Sequence, residues 1–464
     1  MARPAARGLN TPARTGHAQS AGAGAPSPAL ARARGSETGS KGLLVPTTPK
    51  TSTLSVVAPG ILVAATGVGA GDLLTAGFAG AKLGLGICWA VVLGAVMKWA
   101  LTEGLARYQL GAGESLLAAW ASKLRLHWIF LLYLLVWSFT VGGALINACG
   151  VAGHALAPLS ADARTSQMIW GAVHSLAGAA LVLAGGFKLF ERFMAVCVGV
   201  LFLAVTFCAA RLAPAALAQA EFVNPLALRA EALHWTIGLI GGVGGTVTVL
   251  CYGYWIREER REGADGLRLC RIDLAVAYLV TAFFGIAMLI IAARTPELNS
   301  TSVGVAGVLA ESIERAVGPA GRWVFLSGFW AAVFSSLLGV WQGVPYLFAD
   351  ALQRATRATP PSGSLTATRA YRVFLAYIAL APLATLGQSV RQIQLVYAVL
   401  GACFIPLLAA SLLALNNHPR WQRPGYRNGC AANLLLGLTL AFFAWQGAAA
   451  IWERALALFA ADTR

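Results

Sequence analysis

The sequence predicts an all-α polytopic membrane protein with about eleven transmembrane helices. Hydrophobic residues make up 58% of the 464 residues and charged residues only 12%, whereas about a quarter of a typical soluble chain is charged. Apolar tracts recur from about residue 56 to residue 452, and the charged residues lie in the short gaps between them. A helix of about 20 apolar residues can cross a bilayer because it satisfies its own backbone polar groups.

The predicted spans follow one another with short connections. They cover residues 56–81, 84–110, 127–155, 166–186, 193–213, 233–256, 272–293, 323–348, 371–387, 393–415 and 430–452. Between spans seven and eight, the periodicity of residues 303–316 predicts a short amphipathic surface helix with Glu311, Glu314 and Arg315 on its polar side.

The distribution of positive charge indicates how the chain is oriented. If the N-terminus is cytoplasmic, the segments on that side carry 23 Lys and Arg residues, and the opposite side, counted with the C-terminus, carries 10. This asymmetry agrees with the positive-inside rule. The net charge of +16 therefore reflects membrane topology rather than a surface for nucleic acid. We expect a multi-pass protein of the cell membrane, in contact with lipid, with no nucleic-acid partner and no obligate protein partner.

The order of the spans predicts four segments. Residues 1–53 contain mostly Ala, Gly, Pro, Ser, Thr and Arg, which is typical of a disordered, basic cytoplasmic tail; an organelle transit peptide is the alternative. Residues 54–232 contain spans one to five as a first repeat. Residues 233–416 contain spans six to ten as a second repeat, and residues 417–464 contain span eleven and the C-terminus.

No pattern in the sequence indicates an enzyme. The eight cysteines show neither the C-x-x-C spacing nor the Cys/His spacing of zinc sites. The H-E-x-x-H, G-x-S-x-G and Walker patterns are also absent from the sequence. We therefore expect neither catalysis nor a cofactor, and a transported small ion or solute as the molecule that the protein binds.

Two glycine clusters are the strongest functional signal. Gly67-Val68-Gly69-Ala70-Gly71 in span one and Gly242-Val243-Gly244-Gly245-Thr246 in span six, here called the span-one break and the span-six break, lie 175 residues apart. Each glycine costs a helix about 0.8–1 kcal/mol relative to alanine. Interrupted helices at matching positions indicate the substrate site of a transporter with inverted repeats. Close helix packing is the alternative role for such glycines.

Charged residues inside spans one and two suggest different roles. Asp72 lies directly after the span-one break, where a carboxylate beside unwound carbonyl groups would form a cation site; a place at the outer interface is the alternative. Glu103 and Arg107 are spaced as a structural i, i+4 ion pair. We expect Lys98 to extend its ammonium group to the membrane surface.

Four sequence motifs, in this order along the chain, carry a resemblance to a known family. They are Ala58–Val63, Ala106–Leu116, the group Ser335, Ser336, Gly339, Gln342 and Gly343, and Phe404–Leu408. With them, residues 56 to about 415 resemble the Nramp family of divalent-metal transporters, within the amino acid–polyamine–cation superfamily. The resemblance implies eleven spans, two inverted five-helix repeats, broken helices one and six, and a metal site at the breaks.

The chain departs from the family pattern at the implied metal site. The family's Asp-Pro-Gly-Asn motif aligns with Gly69, Ala70, Gly71 and Asp72, and its Met (or Ala)-Pro-His motif aligns with Thr248, Val249 and Leu250. Gly245 falls where the family offers a backbone carbonyl, and the span-ten glutamine aligns near Ile393, between Gln392 and Gln394. The resemblance thus implies a substrate site made of Asp72, Gly69, Gly245, Thr248 and Gln394, with Asp72 and Thr248 as metal ligands.

These departures leave two transport hypotheses open. The remaining ligands are hard oxygens, which favour Mg²⁺ or Mn²⁺ over softer ions, although Cys251 could add a soft atom. The family's proton relay is altered too, because span three has no acid and Arg369 and Arg372 stand at the start of span nine. The alternative cargo is a small organic solute such as an amine or an amino acid; a channel or receptor is a third possibility.

The topology can be tested by labelling cysteines introduced near the two ends. We expect Ala5→Cys and Asp462→Cys to react with a membrane-impermeant reagent from opposite sides of the membrane, because the predicted span count is odd. The parent protein, with its native cysteines only, gives the background. Labelling of both positions from one side would show that the span count is wrong.

Overall fold

The computed structural model describes residues 53–184, 187–218, 236–241, 244–295, 305–356 and 364–461. These residues are mostly helical and form no strand, and the all-α prediction is confirmed. Residues Thr51–Arg464 form one compact unit. The predicted N-terminal tail, apart from Thr53, lies outside the described residues, as does the predicted boundary between the repeats at residues 232 and 233.

The helices of the described residues are numbered in chain order. They are α1 (Thr53–Gly67), α2 (Ala70–Leu83), α3 (Cys88–Ala112), α4 (Leu116–Ala119), α5 (His127–Leu156), α6 (Ala163–Ala184), α7 (Phe187–Leu217), α8 (236–241), α9 (Tyr252–Glu258), α10 (Gly263–Ala293), α11 (Val305–Val317), α12 (Pro319–Ala355), α13 (Arg369–Leu380), α14 (Val390–Asn417) and α15 (Cys430–Ala461).

The helices agree with the predicted spans. Spans two to five correspond to α3, α5, α6 and α7, spans seven and eight to α10 and α12, and spans nine to eleven to α13, α14 and α15. Spans one and six are each divided into two helices, α1 with α2 and α8 with α9. Within the described ranges, six helical segments are long and apolar enough to cross a membrane by length and composition.

The outer surface of the unit is suited to lipid. Leu132 of α5, Leu203 of α7 and Leu279 of α10 are 68%, 71% and 69% exposed. Large apolar side chains exposed on several neighbouring helices are unusual for a protein surrounded by water. The exposed apolar side chains therefore indicate where the helices face the acyl chains.

The predicted surface helix is α11. Ala306, Leu309 and Ile313 face the core and are fully buried, whereas Glu311 and Arg315 are exposed. Apolar residues three and four positions apart form one stripe of a helix. The amphipathic prediction for this segment is confirmed.

Ion pairs of buried carboxylates stabilise α3, α10 and the connection that precedes α10. Arg107 pairs with Glu103 as predicted, and Arg271 of α10 adds a second contact to that carboxylate at 2.9 Å. Asp273 of α10 pairs with Arg261 at 2.7 Å, and both side chains are almost fully buried. Because breaking a buried pair leaves an uncompensated charge at a cost of about 3–5 kcal/mol, the Arg261–Asp273 pair fixes the connection that precedes α10 against that helix.

Candidate functional site

The span-one break separates α1 from α2. α1 ends at Gly67, and Gly69 has an extended backbone with φ −133° and ψ −160° before α2 begins. The interruption frees the last carbonyl groups of α1, and Ser336 of α12 donates its hydroxyl to the carbonyl oxygen of Thr66 at 3.0 Å. A Cβ atom on Gly69 would collide with the same hydroxyl group. The break therefore lies directly against α12.

The span-six break depends on glycine for its backbone. Gly244 and Gly245 have φ angles of +78° and +76°. Side chains disfavour these angles, and glycine adopts them without strain. A 3-10 turn, Val247–Cys251, follows and leads into α9. The glycines thus determine where the helical path of span six is interrupted.

The two breaks touch each other through their backbones. A Cβ atom on Gly67 would lie 2.7 Å from the carbonyl carbon of Gly244, and one on Gly245 would lie 3.5 Å from the Cα atom of Gly67. Since no side chain fits at the first contact, the two interrupted helices approach as closely as the chain permits. Their free backbone groups therefore lie in one region of the protein.

Two of the predicted site residues lie in the span-six half of this region. Thr248 stands in the 3-10 turn, 7% exposed, and its hydroxyl oxygen is 2.5 Å from the position of a Cβ atom on Gly245. The hydroxyl and the Gly245 peptide are thus immediate neighbours. Gly69 belongs to the facing break, two residues after Gly67, where its neighbours are Ser336 of α12 and Leu145 of α5.

Gln394 reaches the same region from α14. Its amide nitrogen donates to the carbonyl oxygen of Ala144 on α5 at 3.3 Å. The next residue, Leu145, has a methyl group 4.0 Å from the position of a Cβ atom on Gly69. The Gln394 amide oxygen is buried and has no hydrogen-bond partner among the described residues. Gln394 is therefore linked to the span-one break through neighbouring residues of α5.

Asp72 is the predicted site residue for which the side chain lies outside the described part of the structure. Its backbone belongs to the first turn of α2, three residues after Gly69. Among the described side chains, no group of three or more His, Cys, Asp or Glu residues could hold a metal ion. The site hypothesis therefore depends on Asp72 together with uncharged oxygen donors.

The expectation for Lys98 was wrong. Its side chain is 1% exposed, and the ammonium group donates to the carbonyl oxygen of Gly241 at 3.1 Å and to that of Gly245. A Cβ atom on Gly94, one turn earlier, would lie 2.8 Å from the carbonyl oxygen of Ile240, so α3 lies directly against α8. Carbonyl groups freed by the span-six break thus hold the ammonium group inside the protein.

Sequence reasoning also missed two hydroxyl groups. Thr66 and Thr246 are 4% and 7% exposed, and neither hydroxyl oxygen has a hydrogen-bond partner among the described residues. An unsatisfied buried polar group costs about 1–3 kcal/mol. Each threonine stands next to a glycine of a break, and this adjacency is the signal that could have identified them. Thr66 packs against Gly339 of α12, and Thr246 packs against Gly401 of α14.

The remaining residues that the sequence analysis considered are Cys251 and the charged positions of spans three and nine. The sulfur of Cys251 lies 2.5 Å from the position of a Cβ atom on Gly343, so it packs against α12. The described α5 carries no acidic residue, and Arg369 and Arg372 at the start of α13 are exposed.

Comparisons with known proteins connect this geometry to one family. The family model described as natural resistance-associated macrophage protein-like, Nramp, matches residues 60–453. An uncharacterised protein of Pasteurella multocida is 23% identical over 281 residues, and this match spans 59% of the present chain but less than two thirds, 64%, of that relative.

Solved structures share the fold. Two variants of a manganese transporter of Eremococcus coleocola are each 16% identical, with TM-scores of 0.70 and 0.69 and 88% of both chains covered. A structure of MhsT in complex with L-phenylalanine is 18% identical, with a TM-score of 0.52, and covers 84% of this chain and 98% of that one. Identities this low establish similarity of fold alone.

The contact between the breaks can be tested with a single methyl group. We expect Gly67→Ala to lower the melting temperature of the purified protein, because its Cβ atom would meet the Gly244 backbone at 2.7 Å. Helix propensity alone favours alanine by about 0.8–1 kcal/mol, so a loss of stability would identify the contact as its cause. Gly199→Ala in α7 is the matched control, since a Cβ atom there has no neighbour within 4 Å. Equal melting temperatures would contradict the contact.

Proposed function

The chain belongs to the Nramp family, whose model matches residues 60–453, and we propose that it is a secondary transporter of divalent metal cations. The backbone contact between the span-one break and the span-six break carries this proposal. Two interrupted helices that meet inside a membrane bundle place free carbonyl groups around one position, and carbonyl oxygens are cation ligands. Transport, rather than catalysis, is the activity that such a site supports.

The proposed cargo site contains donors from three of the predicted spans, one, six and ten. We assign to it the carbonyl groups of Gly69 and Gly245, the hydroxyl of Thr248, the amide oxygen of Gln394 and the carboxylate of Asp72. The Gln394 amide oxygen accepts no hydrogen bond from the described residues, which supports its role as an acceptor for cargo. In this site, Asp72 supplies the negative charge and Thr248 is the second metal ligand.

The chemistry of these donors indicates hard ions. Carboxylate, carbonyl and hydroxyl oxygens suit Mg²⁺ and Mn²⁺, whereas thiolate, thioether and imidazole ligands favour softer metals. Cys251 packs against Gly343 and leaves the breaks to the oxygen donors. A single carboxylate removes water from an ion weakly, and Mg²⁺ dehydrates reluctantly. We therefore propose a partly hydrated Mg²⁺ or Mn²⁺ as the cargo.

Alternating access follows from the way the breaks divide the spans. In this proposal, α1 moves separately from α2 about the extended Gly69, and α8 moves separately from α9 about Gly244 and Gly245. Residues 54–232 and 233–416 form the two repeats, residues 417–464 add the last span, and residues 1–53 form a cytoplasmic tail. The excess of Lys and Arg on one side supports a cytoplasmic N-terminus.

One observation favours a different cargo. The buried ammonium group of Lys98 contacts the Gly245 carbonyl group, and a positive charge at that place would attract a carboxylate. A small organic solute, an amine or an amino acid, is therefore the second candidate. Uptake of amino acids by a protein that transports no divalent ion would establish it.

The role of Asp72 can be tested in proteoliposomes. We expect Asp72→Asn to lower Mn²⁺ and Mg²⁺ uptake at least about tenfold, because a loss of only about 1.4 kcal/mol of binding free energy has that effect. Asp162→Asn is the matched control: Asp162 is an exposed residue that accepts a hydrogen bond from the Thr165 backbone before α6, and asparagine retains this capping role. Normal uptake by Asp72→Asn would place the carboxylate outside the cargo site.

The selectivity and coupling can be measured in the same vesicles. We expect uptake of Mn²⁺ or Mg²⁺ to exceed that of Cd²⁺ and to proceed with little acidification of the lumen, because the donors are hard oxygens and α5 lacks an acid. A metal-sensitive dye and a pH-sensitive dye inside the vesicles report the two quantities. Tight Cd²⁺ uptake coupled to acidification would refute the hard-ion site.

A further inference from the structure

One face of α3 is directed at the span-six break. Gly94 allows α3 to touch the backbone at Ile240, Lys98 follows one turn later, and Thr102 follows one turn after that. Residues four positions apart lie on the same side of a helix. The Lys98 side chain thus starts from a helix already in contact with α8, and the whole side chain is buried.

The carbonyl groups that hold the ammonium group lack ordinary helical partners. In a continuous helix the Gly241 carbonyl would accept from the amide of Gly245, but Gly244 and Gly245 have positive φ angles and have left the helix. The C-terminal end of a helix also carries a partial negative charge that favours a cation. Lys98 therefore occupies a position where oxygen geometry and helix polarity both select a positive ion.

Further contacts hold this arrangement in place. The hydroxyl of Thr102 contacts that of Tyr278 at 2.7 Å and the carbonyl oxygen of Lys98 at 2.8 Å. A Cβ atom on Gly244 would lie 2.7 Å from the ring of Tyr278. The ring of Tyr278 thus packs on the break that the ammonium group binds. Thr102 and Tyr278 thus connect the α3 residue that binds the break to the backbone of the break itself.

We propose that Lys98 is a tethered cation that competes with the transported ion for the carbonyl oxygen of Gly245 and so determines the affinity of the site. The inference rests on the proposed function, because it concerns the same cargo site. A divalent ion gains the Gly245 oxygen only when the ammonium group has moved away. Two positive charges close together in a poorly solvated site also repel each other strongly. Both effects weaken binding of a dehydrated divalent ion, and neither depends on the identity of the other ligands.

The experiment measures binding of Mn²⁺ and Mg²⁺ to the purified protein by calorimetry, and transport in proteoliposomes. Lys98→Met keeps a long side chain but removes the charge and the donors, and we expect it to bind Mn²⁺ at least about tenfold more tightly than the parent protein. Lys98→Arg keeps the charge, so its affinity should remain as weak as that of the parent. Lys82→Met, at an exposed position near the end of α2, is the control for a lysine outside the site.

Other results would overturn the proposal. Equal Mn²⁺ affinity of Lys98→Met and the parent would show that Lys98 only caps α8. Binding of Mn²⁺ by Lys98→Arg as tight as that by Lys98→Met would show that charge is not the determinant. If Lys98→Met does not fold, Lys98→Gln replaces it, because glutamine retains a donor without the charge; unchanged affinity in this variant overturns the proposal equally.

The outcomes also distinguish this inference from the proposed function. Binding of Mn²⁺ by Lys98→Met, combined with no binding or transport by the parent, would support the tethered cation and reject divalent-metal transport. If the parent transports Mn²⁺ and Lys98→Met leaves the affinity unchanged, divalent-metal transport would be supported and the tethered cation would be rejected.

Discussion

A helix that is interrupted inside a bilayer leaves carbonyl oxygens without their helical partners and out of reach of water. The helices around both breaks are therefore arranged so that their side chains donate hydrogen bonds to these oxygens. At the span-one break, Ser335 and Ser336 of α12 donate to the carbonyl oxygens of Ala65 and Thr66. At the span-six break, Lys98 of α3 donates to two carbonyl oxygens. The helices that surround the site are thus fixed by hydrogen bonds to the broken segments as well as by apolar packing.

Glycine has two roles at these positions, and the structure shows that they occur together. Gly244 adopts a positive φ angle that interrupts the helix, and its backbone is also the surface that Gly67 touches. Gly94 and Gly339 make similar close approaches to Ile240 and Thr66. Small residues allow membrane helices to pack closely where no hydrophobic force drives them together. The sequence analysis treated helix interruption and close helix packing as alternative roles of these glycines. In the structure, the same glycines have both roles.

The sequence predicted the helices well because local patterns encode them. The third predicted span, 127–155, differs by one residue from α5, His127–Leu156, and both breaks lie where glycine accumulates. Contacts between residues far apart in the chain were not predicted. Arg107 was identified as the partner of Glu103 from a spacing of four residues, but Arg271 lies 168 residues away from that carboxylate in the chain. Lys98 was misjudged for the same reason, since hydropathy records that a lysine is in a span but not which helix faces it.

The departures from the family pattern and the burial of Lys98 have a common physical explanation under the proposed function. In the alignment that the resemblance implies, the positions of the family's first Asp and of its Met (or Ala) hold Gly69 and Thr248 in this chain, while spans one and six remain interrupted at the breaks. A tightly held ion would satisfy the free carbonyl groups by itself. Where binding is weak, the empty site needs another donor, because unpaired carbonyl groups in a low-dielectric interior are costly. The Lys98 ammonium group supplies such a donor within the chain, and under the proposed function the stability of the empty site does not depend on the cargo.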